Sequence, residues 1–164
     1  MILFFLRHGE AGYNAATDAD RELTIEGEEA SKQIGLFCKK NGIVFTHALV
    51  SPITRAQQTA KLVLENLPPV TIETCEHLTP NSDPRNLFEE LKHFTDSNVI
   101  LLVSHEPFCS TAISQLINGA GQAAVIMKTT TLACVEVHLP VGKGMGKLHW
   151  LIPHNVVKNI LFSP

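Results

Sequence analysis

The stretch ILFFLRHGEAGYN, residues 2–14, decides the reading of this chain. Ile2 to Leu6 form an apolar run of strand length, and it stops at Arg7-His8-Gly9 with Glu10 directly behind. A buried strand needs no polar terminus to fold. Open α/β sheets, however, bind their ligands beyond the carboxyl ends of parallel strands, so Arg7 and His8 are candidates for a site and not merely for solvation.

Two later stretches end in the same manner. Residues 44–50, VFTHALV, predict a second strand, and Ser51-Pro52 then read as a helix cap followed by proline at the first helical position. Arg55 falls one turn into that helix. Residues 98–104, NVILLVS, predict the best-defined buried strand, and His105-Glu106-Pro107 follow it. If these strands run parallel, Arg7, His8, Arg55 and His105 open onto one edge of the sheet. Arginine forks bind phosphate oxygens in pairs, and a histidine N–H supplies a further contact, so the cluster suits a phosphate dianion. The helix N-termini after Pro52 and Glu106 are expected to add donor amides. Gly9 is expected to leave room for the phosphate.

The rest of the chain alternates strand and helix through its first three-quarters. Thr24-Ile25-Glu26 predicts a helix start, with Ile25, Ala30, Ile34, Phe37 and Cys38 as its apolar stripe and Lys39-Lys40-Asn41-Gly42 as its end. Ala56, Ala60, Val63, Leu64 and Leu67 mark the buried side of the next helix, and Pro68-Pro69 stop it. Val70 to Thr74 reads as a short strand. Asp83-Pro84 opens a helix carrying Leu87, Phe88, Leu91 and Phe94. A helix is expected from about Glu106 to Asn118, capped by Gly119. Leu132–Leu139 and Lys147–Ile152 then read as two strands around a glycine-rich connection, the antiparallel edge of the sheet, with a short helix after Pro153. The expected architecture is α/β, a single three-layer α/β/α domain over residues 1–164 with a mostly parallel central sheet.

Composition sets the outer limits. The chain has 164 residues, 45% apolar and 18% charged, which is globular in balance. Its formal net charge is −3, and its longest basic run is Lys39-Lys40, which argues against nucleic acid as a partner. Cys38, Cys75, Cys109 and Cys134 are widely spaced and form no C-x-x-C pair, so they read as reduced core thiols and not as a zinc site. The first apolar run is too short for a signal peptide, and no stretch reaches the roughly 18 apolar residues of a membrane span. The expectation is a cytoplasmic protein with no membrane, metal or cofactor.

Other features carry less chemistry. VGKGMGK, residues 141–147, lacks the spacing of a phosphate loop and lies between two antiparallel strands, so it reads as a hairpin connection. Cys109, beside Phe108 and near Ala112, reads as a core residue. His47, His93, His138, His149 and His154 show no ligand spacing; His77 stays open because its loop could border the site.

LRHGEAGYN, LVSPITRAQQTA and LLVSHEP together closely resemble the histidine phosphatase, or phosphoglycerate-mutase-like, superfamily. The short chain, the DADRELTIEGEEA and HLTPNSDP segments and the terminal LHWLIP look most like SixA-type phosphohistidine phosphatases. The resemblance implies a metal-independent phosphatase in which His8 is the nucleophile, forming a phosphohistidine intermediate that water hydrolyses. It implies that Arg7, Arg55 and His105 bind the phosphate, that Arg21 also reaches it, and that Asn14 matches a phosphate-contacting asparagine of larger members. Substrates implied are a histidine-phosphorylated protein, such as a phosphotransfer domain, or a small phosphorylated metabolite. A phosphoglycerate mutase is disfavoured because the chain lacks room for the inserted segment. A phosphoprotein-binding module without turnover is disfavoured because His8, both arginines and His105 are all present. Glu10, Glu76 and Glu106 are the candidate general acids.

Overall fold

The structure, a computed structural model, describes residues 1–119 and 125–163. Six strands, β1 (Ile2–Arg7), β2 (His47–Val50), β3 (Thr71–Thr74), β4 (Val99–Ser104), β5 (Leu132–Val137) and β6 (Gly146–Ile152), form one sheet in the order β3-β2-β4-β1-β5-β6. The β3, β2, β4 and β1 strands are mutually parallel, whereas β5 runs antiparallel to β1 and β6 antiparallel to β5. The helices are α1 (Ile25–Lys40), α2 (Thr54–Leu64), α3 (Pro84–Leu91), α4 (Phe108–Asn118) and α5 (His154–Phe162).

Strand periodicity divides the core between two faces. Leu3, Phe5, Leu49, Ile100 and Leu102 pack with Leu87, Leu91, Phe108 and Ile113, under α3 and α4. Phe4, Leu6, Ala48, Val50, Leu101 and Val103 pack with Ile34, Phe37, Ala60 and Val63, under α1 and α2. The result is the expected three-layer α/β/α arrangement. Register then aligns the strand ends: Arg7 lies opposite Ser104, and Val50 opposite Val103. His8, Ser51 and His105 therefore leave three adjacent strands side by side at the carboxyl edge.

The helix signals worked where they were local. Thr24 caps α1 by accepting the Gly27 amide, Asp83 caps α3 by accepting the Arg85 amide, and Gly119 ends α4 in the left-handed region at φ 77°. Other expectations need correction. Ser51-Pro52 does not cap α2, which starts at Thr54 with Ile53 before it, so Arg55 stands in the first turn. Ile25 is 80% exposed and is not part of the α1 stripe, because it lies in the capping turn ahead of the packed face. The β2 ladder begins at His47, not Val44; Val44 is exposed, and both the Thr46 amide and hydroxyl donate to the Val99 carbonyl. Likewise α4 begins at Phe108, and β5 stops at Val137. Residues 141–145 do lie in the β5–β6 hairpin connection, with Gly144 at φ 72°.

Candidate active site

His8 follows the last residue of β1, and its amide donates to the Ser104 carbonyl of β4, which pins the motif to the sheet edge. The Gly9 amide donates to Thr59 Oγ1 on α2, and Thr59 in turn donates to the Arg55 carbonyl. Gly9 is needed for packing against α1. A Cβ at this position would meet the Gly27 carbonyl of α1 at 2.7 Å.

Arg7, His8, Glu10, Ala11, Tyr13, Arg21, Arg55, His105, Glu106 and Thr129 line a mainly polar cleft of about 250 Å³. Larger surface grooves, such as the one of about 420 Å³ between Val125, Ile126 and Leu148, are apolar and bring no comparable set of titratable groups together. Four of the predicted residues converge. Arg7 Nη1 donates to the Met127 carbonyl, 2.9 Å away, while its Nε is buried with no partner among the described residues. Arg55 donates from Nε to His8 Nε2 (3.1 Å), from Nη1 to the Asp18 carbonyl (2.6 Å) and from Nη2 to Asp18 Oδ2 (3.0 Å). The His8 and His105 rings lie 4.9 Å apart, centroid to centroid.

These contacts define the protonation of His8. Its Nδ1 lies 2.6 Å from the Gly9 carbonyl, which can only accept, so Nδ1 carries the hydrogen. Its Nε2 faces the Arg55 Nε–H and therefore presents a lone pair. Burial lowers the His8 pKa to about 4, with the cations of Arg55 and Arg7 adding to the effect against the Gly9 hydrogen bond. Burial likewise lowers His105 to about 3, assisted by His8 and Arg55. Both rings are neutral at pH 7.

Arg21 reaches the cleft wall, yet its donors serve the loop: Nε bonds the Gly12 carbonyl, Nη2 the Ala11 carbonyl, and Nη1 the Asp18 carboxylate. Its guanidinium also lies 4.1 Å from the centre of the Tyr13 ring. Asn14 is exposed and stands outside the cleft lining, although its neighbour Tyr13 is part of it. Glu73 and Glu76 are exposed and also lie outside it; His77, partly buried, does not border it. Glu10 and Glu106 do line the cleft, but Glu106 accepts from the Ser110 amide and hydroxyl. Of the amides in the first turns of α2 and α4, Thr54 of α2 donates to the Ala19 carbonyl and Ser110 of α4 to Glu106. Cys109 is fully buried, and burial pushes its thiol pKa far up, which suits a core residue.

Sequence reasoning missed four contributors: Asp18, which pairs with both Arg55 and Arg21; Thr59; the Met127 carbonyl; and Ser51, whose hydroxyl lies 2.8 Å from His105 Nε2. Only Ser51 had a usable signal, its place at a strand end like those of His8 and His105.

Comparison with known proteins agrees with this geometry. The sequence model of the histidine phosphatase superfamily (branch 1) matches residues 3–79. The phosphohistidine phosphatase SixA of Escherichia coli K12 is 30% identical over 153 residues, spanning 92% of each chain. A SixA homolog of Haemophilus influenzae is 31% identical over 130 residues, 71% of this chain and 77% of the relative. The solved structure of protein histidine phosphatase SixA complexed with tungstate superposes with a TM-score of 0.87 at 28% identity, covering 96% of this chain and 99% of that one. The chain belongs to the histidine phosphatase superfamily, and it is a phosphatase.

Proposed function

We propose that this chain hydrolyses phosphohistidine on a protein, with His8 as the covalent nucleophile and Arg7, Arg55 and His105 as the phosphate-binding residues. The observation that carries the reading is the wiring of His8: a neutral ring with its Nε2 lone pair in a cleft shared with Arg7, Arg55 and a second imidazole. Resemblance to SixA along most of both chains supports the substrate class.

His8 Nε2 attacks phosphorus as the bond to the substrate nitrogen breaks, and that bond's electron pair returns to the leaving ring. The substrate imidazole is protonated at its other nitrogen and leaves neutral. Water then attacks phosphorus, the bond to Nε2 breaks, and the His8 lone pair is restored as phosphate departs with the water's oxygen. The protein's task is alignment and charge around the equatorial oxygens, which guanidinium groups perform without a metal. Each charge-assisted hydrogen bond contributes roughly 1.5–3 kcal/mol, so three of them used in the transition state amount to several orders of magnitude in rate.

Substrate preference follows from the acids. An alkyl phosphate needs a proton for its leaving alkoxide, whereas phosphohistidine brings a neutral leaving group. Of the two carboxylates in the cleft, Glu106 is tied to Ser110, which leaves Glu10. Glu10 also favours the second reading, a small-metabolite phosphomonoesterase with Glu10 as its acid. The test is kcat/KM on a phosphorylated phosphotransfer domain, a phosphoramidate and common monoesters. Strong preference for the first two supports phosphohistidine; comparable efficiency on monoesters, lost in Glu10→Gln, supports the second reading. Chelators are expected to leave activity unchanged.

A further inference from the structure

We propose that Ser51 is a positioning residue whose hydroxyl fixes His105 as the Nδ1–H tautomer, so that a neutral ring offers an N–H to the bound phosphoryl group. The inference rests on reading the cleft as a phosphoryl site.

Ser51 is fully buried at the exit of β2, and its Oγ has two neighbours among the described residues. The Ile53 amide, 3.4 Å away, can only donate and so takes an oxygen lone pair. The other neighbour is His105 Nε2 at 2.8 Å. The hydroxyl has one proton, and Nε2 is the acceptor in reach, so Ser51 donates to His105. A neutral ring whose Nε2 accepts must carry its hydrogen on Nδ1. That Nδ1 is buried and has no protein partner among the described residues, although His105 lines the cleft.

The arrangement gives the two imidazoles opposite duties without charging either. His8 turns its hydrogen towards the Gly9 carbonyl and offers a lone pair; His105 takes a proton bond from Ser51 and offers an N–H. The burial that keeps His8 nucleophilic also opposes a cationic His105, whose two nitrogens could otherwise both donate. A neutral His105 contributes to anion binding only as the Nδ1–H tautomer. The other tautomer would aim a lone pair at the phosphate oxygens. Without Ser51, that choice is no longer enforced.

Long-range proton–nitrogen correlation spectra of the full chain, with nitrogen-15 in its histidines, report which ring nitrogen of His105 is protonated, and no substrate is needed. The expected wild-type result at pH 7 is a protonated Nδ1 and an unprotonated Nε2. Ser51→Ala is expected to populate the Nε2–H form and to weaken tungstate binding about tenfold with a matching loss in kcat/KM. Ser51→Thr, which keeps a hydroxyl, is expected to restore the Nδ1–H form. An Nε2–H tautomer in the wild type overturns the proposal, and so does an Ala variant that keeps both the Nδ1–H form and wild-type tungstate affinity. If Ser51→Ala does not fold, the wild-type spectrum decides alone. An Nδ1–H tautomer in a protein that ignores phosphohistidine upholds the Ser51 assignment and removes only the substrate reading.

Discussion

Arg55 Nε donates to His8 Nε2 across 3.1 Å, so in the resting cleft the nitrogen proposed as nucleophile is held by the cation proposed to grip the phosphate. Substrate binding must exchange this contact: the guanidinium moves its donors to phosphate oxygens as the lone pair turns to phosphorus. The pair explains how a neutral imidazole stays aligned in a cationic cleft. Nδ1 is fixed by the Gly9 carbonyl on one side, and Nε2 by a fork that is itself anchored on Asp18.

Removing the nucleophile separates chemistry from binding. His8→Ala is expected to abolish turnover while tungstate still binds, more weakly, because Arg7, Arg55 and His105 remain. Wild-type protein quenched during turnover should carry acid-labile, base-stable phosphate on His8. Appreciable hydrolysis by the Ala variant would remove the covalent mechanism.

Arg55→Lys keeps the charge and loses the fork. One ammonium cannot reproduce donors aimed separately at His8, the Asp18 carbonyl and the Asp18 carboxylate. The expected cost is tenfold or more in kcat/KM, measured on the best substrate of the panel. Equal efficiency for Lys and Arg would reduce Arg55 to a diffuse field.

The depressed histidines also shape stability. His8 is held near pKa 4 and His105 near 3, against about 6.5 in the unfolded chain. Well above pH 6.5 neither ring takes up a proton in either state, so their stability contribution is fully present. As pH falls towards 4 the unfolded chain binds protons that the fold excludes, and each ring removes up to about 1.4 kcal/mol per pH unit. Urea denaturation midpoints are expected to fall across this window, and His8→Asn should flatten the slope. An identical slope in the variant would mean that His8 is protonated freely in the fold.

Much of this fold is legible because its signals are local. Unbroken apolar runs of strand length mark β1 and β4, and Thr24, Asp83 and Gly119 announce helix ends through their own neighbours. The strand ends also pointed to the convergence of Arg7, His8, Arg55 and His105, since parallel strands of matched register must deliver their carboxyl termini together. The supporting contacts left no such trace. Gly9 finds Thr59 fifty residues away, and Arg7 finds the Met127 carbonyl 120 residues away, and neither contact has a period or a spacing. Ser51 shows how local chemistry misleads: followed by proline it has the form of a helix cap, yet the packing of β4 beside β2 gives its hydroxyl to His105.

Gly9 and Gly27 illustrate the same limit and lead to a further test. Gly27 looks like a poor choice two residues into α1, where alanine would favour helix by about 1 kcal/mol. Tertiary packing decides otherwise. A Cβ on Gly27 would collide with the backbone carbonyl and amide of Glu10, just as one on Gly9 would collide with the Gly27 carbonyl. The loop that carries His8 thus lies directly on the first turn of α1, backbone against backbone. Overpacking of this kind typically costs about 1–3 kcal/mol, beyond what propensity returns, because neither backbone is free to turn aside. Gly27→Ala is therefore expected to lower Tm by roughly 3–10 °C and to reduce kcat/KM, since the displaced Glu10 backbone lies two residues after His8. Gly142→Ala is the control: its Cβ would meet nothing closer than the Met145 side chain at 3.9 Å, and it should leave both quantities unchanged. A Gly27→Ala protein with raised Tm and full activity would mean that propensity wins at this position and that the motif loop does not depend on α1 for its placement.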